Sequence, residues 1–202
     1  MHPLKYRSVS KDEQESTVLL EYTGSLTGAA NSNVGIQIEI DTSLGIRYEV
    51  SFQNAGAVLS HTAFFYKFSN PYQTVFYNYL KHKSEVIKGG GTNGGQDVTV
   101  VGKEKIDSFS CTHLRQSNKR ESQDYWMSTS VPGFKQVATI LKNIDPNLLM
   151  MAIDGGIFEW GGLVKLKISS TTSKGQTTSL ALHLIEAETG LDFPSSDFDV
   201  PK

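Results

Sequence analysis

Cys111 and His113 are the residues whose types and spacing come closest to a catalytic pair. They lie two positions apart in a segment predicted to be a strand, so both side chains would share one face. A thiol beside an imidazole is the arrangement of a nucleophile with its general base. The sequence identifies no third group to orient the histidine, and the alternative is a packed thiol beside a polar neighbour. The packed thiol is the favoured interpretation, so we expect no catalytic residue and no enzymatic activity.

The glycine-rich stretch Gly89–Gly95 invites comparison with a phosphate-binding loop. It lacks the Gly-Lys-Ser/Thr ending and is not followed by a helical pattern, both of which phosphate binding of that kind needs. We interpret it as a flexible connector. The histidines also show no spacing that commonly holds a metal. We therefore expect neither a metal site nor a cofactor. The histidines are His2, His61, His82, His113 and His183.

Composition narrows the class of protein. The chain has 202 residues, of which 38% are hydrophobic and 20% charged, and this is typical of a folded globular protein. Its net charge of −2 provides no basic face for phosphate backbones, so nucleic acid is not an expected partner. The apolar runs are shorter than the roughly 20 residues that span a bilayer. A single cysteine, Cys111, rules out an intrachain disulfide.

The first residues are polar and lack periodicity. We interpret residues 1–16 as a tail and residues 17–202 as a single antiparallel β domain with a helical insertion. Met1–Leu4 leads directly into a charged stretch without an apolar central segment, so no signal peptide is visible. Two interpretations remain open: a cytoplasmic protein, or an exported one whose signal has been removed.

Alternation of period two dominates the rest of the chain. Ile36, Ile38 and Ile40 alternate with polar residues, which places three branched side chains on one face of a strand. Residues 46–53 repeat the pattern, and the turn-forming stretch 41–45 between them predicts a hairpin. Two aromatic strands should follow around 64–68 and 75–79. Further strands are expected at 98–101, 109–114, 124–128, 164–168 and 178–186.

One region breaks this pattern. Between Gly133 and Ile153, apolar residues recur three and four apart, which predicts a helix. Pro146 would interrupt that helix and open a second one, over 148–153, that ends at Gly155-Gly156. The fold class is therefore mainly β (α+β), with a short two-helix lid near residues 133–153.

Aromatic and methionine side chains are numerous on both the strands and the helical region. Each could belong to an ordinary core, but together they would suit a cavity for an apolar ligand between the sheet and the lid. The candidate cavity residues are Phe64, Tyr66, Phe68, Tyr77, Tyr79, Trp126, Met150, Met151 and Trp160.

Two segments carry a resemblance to known families. The run Val100–Leu114, followed by Tyr125–Thr129 and Val131–Phe134, resembles an uncharacterised bacterial family in which a cysteine-containing strand precedes a tryptophan-containing strand and a helical segment. The acidic ending from Ile185–Glu188 to Asp197–Pro201 is similar to the ends of the periplasmic lipoprotein carrier (lipoprotein localisation) proteins. With the strand order, the resemblance covers residues 17–202.

This resemblance implies a curved, half-open antiparallel β-barrel whose concave face is covered by helices, in a protein exported to the periplasm or held in the cell envelope. The carriers hold acyl chains in that cavity. No single position here matches the arginine that governs a carrier's lid, so the implied function is an apolar-ligand scaffold and not lipoprotein transport itself.

We therefore expect a non-catalytic envelope module that binds a lipid or other apolar molecule and does not span the membrane, although it could associate with it transiently. The alternative is a protein–protein interaction module with a core filled by its own side chains, an exposed apolar patch or unpaired sheet edge, and no ligand.

Overall fold

The computed structural model describes residues 16–28, 31–88, 98–141 and 155–201. They form eleven strands, one α-helix and two short 3₁₀ helices, Gly155–Trp160 and Ser195–Phe198. The α-helix, α1, is Phe134–Leu141. The strands are β1 Thr17–Thr27, β2 Ser32–Asp41, β3 Gly45–Asn54, β4 Ala57–Lys67, β5 Gln73–Asn78, β6 Lys83–Lys88, β7 Thr99–Ile106, β8 Phe109–Ser117, β9 Glu121–Ser128, β10 Gly162–Thr171 and β11 Thr177–Thr189.

All eleven strands belong to one antiparallel sheet with the order β6-β5-β4-β3-β2-β1-β11-β10-β9-β8-β7. Most neighbouring strands are joined by short turns. The exceptions are β9 and β10, whose connection contains α1 and the first 3₁₀ helix, and β1 and β11, whose pairing brings the two ends of the sheet sequence together. The predicted hairpins at β2–β3 and β10–β11 are confirmed, and so are the adjacent aromatic strands β4 and β5. The mainly β fold class is confirmed as well.

The sheet must be curved, because its two edge strands follow one another in the chain. A flat sheet of eleven strands, spaced about 4.8 Å apart, would separate β6 from β7 by about 48 Å. Lys88 and Val98 are ten residues apart in the sequence. Ten residues of fully extended backbone span at most about 36 Å, which is less than the width of the flat sheet. The edges are therefore drawn towards each other without pairing, which gives the half-open curved sheet that the resemblance implied.

The two faces of the sheet are covered differently. We call the face on which α1 packs the inner face and the opposite one the outer face. Val18, Leu20 and Tyr22 alternate onto the inner face of β1, and they join the main hydrophobic core with their neighbours on β2 and β11. Helix α1 buries Val137 and Leu141 against this core. The inner face is thus apolar and partly roofed by one short helix.

The chain after β11 covers part of the outer face. Phe193 and Phe198 bury Leu19 of β1, and Val200 packs near Phe65 and Tyr77 on β4 and β5. The Phe-containing ending that the sequence singled out is therefore a hydrophobic cover for the back of the sheet. This burial removes the outer face of β1 to β5 from water at one end.

Charged residues accompany this outer cover. Glu39 is 1% exposed, and its carboxylate lies 3.0 Å from the guanidinium of Arg47, which also pairs with Glu49. Burial raises the pKa of Glu39 even though Arg47 acts in the opposite direction. Buried charges of this kind need their partners in place, so they fix the geometry of the outer layer.

The predicted lid is confirmed at its first helix, α1. The second predicted helix, residues 148–153, and the predicted N-terminal tail before Ser16 lie outside the described residues. A 3₁₀ helix begins at Gly155, where the second helix was expected to end. Among the described segments, none of the helices has the length and apolar character needed to cross a membrane.

Gly24 on β1 lies against the backbone of β11. A Cβ atom on this residue would overlap the backbone carbonyl oxygen of Ala181. Since backbone cannot move aside as a side chain can, Gly24→Ala should lower the free energy of unfolding by about 1 to 3 kcal/mol. Gly102→Ala is the matched control, because nothing lies within 4 Å of its Cβ position. Urea denaturation of both variants would check this, and equal stabilities would contradict it.

Candidate functional site

A cavity of about 190 Å³ lies between the inner face of the sheet and α1. Five strands line it, together with α1 and the first 3₁₀ helix, and its side chains are aliphatic or aromatic throughout. They are Leu20, Tyr22, Ile36, Ile38, Ile40, Ile46, Tyr48, Val137, Leu141, Phe158, Leu163, Leu166, Ile168, Leu180 and Leu182.

The period-two pattern of the strands creates this lining. Ile38 stands between Leu20 on β1 and Tyr48 on β3, so cross-strand neighbours form a continuous apolar surface. Leu166 and Leu182 pair in the same way across β10 and β11. β-branched and leucine side chains suit a pleated sheet surface. The strongest alternation in the sequence therefore builds the floor of the cavity.

The roof is α1, which presents Val137 and Leu141 one helical turn apart. The helix begins after Gly133, whose φ of +71° is a left-handed conformation that glycine adopts without strain. A Cβ at this position would also lie 2.6 Å from a methyl group of Val18. Glycine thus allows the start of the helix to lie directly on β1.

Two tyrosine hydroxyls are the polar groups of the lining. The hydroxyl of Tyr22 donates a hydrogen bond to the carbonyl of Leu163 at 3.1 Å, so the framework satisfies it. Burial raises the pKa of Tyr48 to about 12, and that side chain therefore stays neutral at physiological pH. No described residue forms a hydrogen bond with the Tyr48 hydroxyl. Tyr48 can therefore offer a hydrogen bond to an oxygen of a bound molecule.

The inner face is sealed at one end and opens towards the other. The upper rim consists of the turns joining β1 to β2, β3 to β4, β5 to β6, β8 to β9 and β10 to β11, and the lower rim lies at the opposite ends of the strands. Ile46 near the lower rim is buried, whereas Val50 and Phe52 on the same strand are half-buried. On β11, Leu182 is buried and Leu180, nearer the upper rim, is half-buried. The half-buried positions of the inner face therefore lie in its upper half, around Ile36, Val50 and Leu180, while Val34 of β2 is itself buried. We take the mouth of the cavity to lie among these half-buried positions.

Phe64 and Tyr66 of β4, and Phe68 just after it, lie on the inner face but outside the lining. Phe64 packs against Tyr48 and Phe76, with ring centroids 5.6 and 5.3 Å away. Tyr66 and Phe68 pack against each other edge to face. These rings pack against one another over β3 to β5 and leave no space there. The cavity therefore lies beside them, over the strands whose inner-face side chains are mainly aliphatic.

Tyr77, Tyr79 and Trp126 lie on the outer face. The β4–β5 register pairs Phe64 with Phe76, and Tyr77 therefore alternates away from the cavity. Trp126 stacks on His113, with Lys165 above the indole. Trp160 is 43% exposed, and Met150 and Met151 lie outside the described residues. The cavity thus has a mainly aliphatic lining, whose aromatic members are Tyr22, Tyr48 and Phe158. None of the described candidate residues is among them, because a count of aromatic residues does not tell which face of its strand each one occupies.

Cys111 and His113 do not form a nucleophile–base pair. The Cys111 thiol is 1% exposed, and burial raises its pKa, which is the opposite of what a reactive cysteine requires. The His113 imidazole is stacked on Trp126 and lies 2.8 Å from a carboxylate oxygen of Asp124. Across the described ranges, no group of three or more His, Cys, Asp or Glu side chains could hold a metal ion.

Asp124 anchors this outer-face cluster. Burial alone would raise the pKa of its carboxyl group, but the pKa is lowered because hydrogen bonds from Arg115 and His113 outweigh burial. The Arg115 Nε atom lies 2.7 Å from the carboxylate. The contacts of His113 are therefore explained by the packing of β8 against β9.

The fold defines a class of proteins built on a half-open antiparallel sheet. A solved structure of an uncharacterised conserved protein from Thermus thermophilus shares it, with a TM-score of 0.51 at 9% identity over 95% of this chain and 90% of that one. The chain itself belongs to the family described as domain of unknown function DUF4412, whose model matches residues 68–202.

Two further solved structures align over most of the chain at lower similarity. An outer membrane lipoprotein-sorting protein domain from Vibrio parahaemolyticus has a TM-score of 0.39 and 11% identity, covering 93% of this chain and 91% of that one. A LolA superfamily protein from Nitrosomonas europaea has a TM-score of 0.34 and 10% identity, covering 92% and 91%. No curated protein gives a significant match in sequence.

The buried state of Cys111 predicts an unreactive thiol. In the native protein at pH 8, its reaction with a disulfide reagent such as DTNB should be at least about a hundredfold slower than in the urea-unfolded chain, since the thiolate is disfavoured and shielded. Absorbance at 412 nm would follow the reaction. Labelling at the unfolded rate in the folded protein would contradict the packed-thiol interpretation.

The lowered pKa of Asp124 predicts a pH-dependent contribution to stability. The folded state holds the carboxylate more strongly than the unfolded state, so its contribution is present above the unfolded pKa and is lost as the pH falls through the folded pKa. Asp124→Asn should therefore cost about 1 to 2 kcal/mol at pH 7 and progressively less in acid. Urea titrations at pH 7 and pH 3 would measure this, and a cost independent of pH would contradict it.

Proposed function

We propose that this protein is a non-catalytic binding module of the cell envelope that holds an acyl chain or another apolar molecule in its inner-face cavity. The observation that carries the proposal is the apolar cavity of about 190 Å³ between the sheet and α1. A domain that packs its own core to completion leaves no such space. An opening among the half-buried positions of the inner face gives a ligand a route into it.

The size of the cavity limits what can enter. An engineered cavity of about 150 Å³ admits benzene, while drug-sized ligands need about 300 Å³ or more. The space of about 190 Å³ therefore fits one ring or the end of a hydrocarbon chain. A longer acyl chain would extend along the half-buried inner face, past Val50 and Leu180, to the upper rim.

Binding would be driven by burial of hydrocarbon. At about 25 cal/mol per Å², roughly 200 Å² of ligand surface removed from water contributes about 5 kcal/mol before the cost of ordering the ligand. Micromolar affinity requires about 8 kcal/mol, so the part of the ligand along the open inner face must contribute too. The Tyr48 hydroxyl supplies a hydrogen bond that a carbonyl or carboxyl oxygen could accept.

The envelope location rests on the sequence resemblance. The acidic, Phe-containing ending that resembles those of the periplasmic carriers is the segment that packs across the outer face, where Phe193 and Phe198 cover Leu19. This ending therefore has a structural role in the fold of this chain.

The alternative is a protein–protein interaction module. It requires an unpaired sheet edge or an exposed apolar patch, and the edge strand β7 does expose Val100 and Val101. It also requires a core filled by its own side chains, and the inner-face cavity does not fit that requirement. The cavity therefore favours the ligand-binding proposal.

Blocking the mouth of the cavity tests the proposal. Leu180→Trp should fill the space beside Leu182 and weaken binding of a fluorescent fatty acid, such as a dansylated undecanoic acid, at least about tenfold. Ala181→Trp, one residue away on the outer face, is the matched control and should retain wild-type affinity. Circular dichroism would verify that both variants are folded.

Native mass spectrometry of gently purified protein supplies an independent measurement. We expect a fraction of the wild type to carry an added mass of a lipid or fatty acid, and Leu180→Trp to lose it. A clean apo mass, together with no affinity for fatty acyl probes, would overturn the proposal. Equal binding by both tryptophan variants would place any ligand elsewhere.

A further inference from the structure

The two rims carry opposite charge, although the chain as a whole is nearly neutral at −2. The five turns of the upper rim contain four Lys or Arg residues and no Asp or Glu: Lys81, Lys119, Arg120 and Lys174. Apart from α1, which carries Lys135, the described turns of the lower rim and the chain after β11 contain no Lys or Arg up to Pro201, and Asp199 is paired with Lys67 at the end of β4. They contain four Asp residues: Asp107, Asp192, Asp197 and Asp199. Neutrality of the whole chain therefore conceals a strongly cationic end.

Exposed aliphatic side chains lie among these cations. Leu80, next to Lys81, is 52% exposed at the β5–β6 turn. Tyr79 donates its backbone N–H to the carbonyl of His61, so this turn runs beside the start of β4, where Val58 and Leu59 are also exposed. The upper rim thus combines projecting apolar groups with positive charge.

The four cationic residues are exposed, and asparagine side chains stabilise two of the turns that carry them. The Asn118 side-chain oxygen accepts hydrogen bonds of 2.9 Å from the N–H groups of Arg120 and Glu121, and that of Asn78 accepts one of 3.0 Å from the N–H of Lys81. The turns are therefore stabilised without the cationic side chains. Within the segments that the structure describes, none of the four cations forms an ion pair.

We propose that the upper rim docks on the surface of a lipid bilayer that carries anionic headgroups. Cations of a rim attract anionic lipids, and aliphatic side chains on turn tips can enter the boundary between headgroups and acyl chains. An acidic protein partner would be expected to meet a continuous groove or a paired edge, whereas these groups project from separate turns. The combination of charge and isolated aliphatic tips therefore favours a membrane surface.

Docking at this rim would also set the orientation of the molecule. The half-buried positions of the inner face lie in the half next to this rim, so the mouth of the cavity would lie nearer the bilayer while the acidic lower rim points away. The docking surface itself depends on the rim charges and on Leu80, and it stands whether or not the cavity binds a ligand.

Vesicle flotation of the full chain tests the docking surface. Binding is expected to vesicles of 30% phosphatidylglycerol in phosphatidylcholine at low salt, and little to pure phosphatidylcholine. Each cation near an anionic surface contributes about fivefold, so Lys119→Gln combined with Arg120→Gln should lower the partition coefficient about 25-fold. Lys103→Gln combined with Lys105→Gln is the control, because it removes the same charge from exposed positions on β7 away from the upper rim. It should change binding less than about threefold.

Leu80→Asn provides a second variant that leaves the charge unaltered. It should weaken vesicle binding at least about threefold if the aliphatic tip enters the interface. Absence of binding to anionic vesicles, or an equal loss in the β7 control, would overturn the proposal. Fatty acid binding measured without vesicles separates the two proposals, since rim variants should leave it unchanged and Leu180→Trp should not affect docking of the rim.

Discussion

The structure depends on the burial of both faces of one long sheet. Eleven strands in a single layer present two large surfaces, and apolar side chains on either one cannot remain in water. Part of the outer face, over β1 to β5, is covered by the chain after β11, through Phe193, Phe198 and Val200. The inner face has no second sheet to pack on among the described segments, so the sheet curves over itself and α1 takes the remaining place. The curvature of the sheet, α1 and the C-terminal segment thus all serve to bury apolar side chains of this one sheet.

Helix α1 is too short to complete that cover. Its eight residues extend about 12 Å, whereas the ten residues of β2 extend about 33 Å. Burial is accordingly complete near Ile40 and Ile46 and partial at Ile36 and Val50. The cavity lies between the sheet and α1, beside the half-buried part of the inner face. A fully covered inner face would leave no cavity, and a fully uncovered one would promote aggregation.

Sequence reasoning predicted the layout well because alternation is a local property. Ile36, Ile38 and Ile40 determine one face of β2 from their own spacing, and the turn that follows determines the register with β3. The lining of the cavity is not local in this way. Whether Phe76 or Tyr77 turns inward depends on the pairing of β5 with β4, and both residues are aromatic. The curvature likewise follows from the pairing of β1 with β11, which no single segment reveals.

The two faces of the sheet are held together by different kinds of interaction, and the proposed ligand binding depends on this difference. The outer layer is fixed by the buried pair of Glu39 and Arg47, in which loss of one partner would leave the other charge unpaired, and by the hydrophobic cover above it. The inner layer is joined to its roof by aliphatic contacts, from Val137 and Leu141. Such contacts are non-directional and can be exchanged for contacts with a hydrocarbon chain at little net cost. The inner face, which holds the cavity, is therefore packed by exchangeable aliphatic contacts, whereas the outer face is held by a buried ion pair.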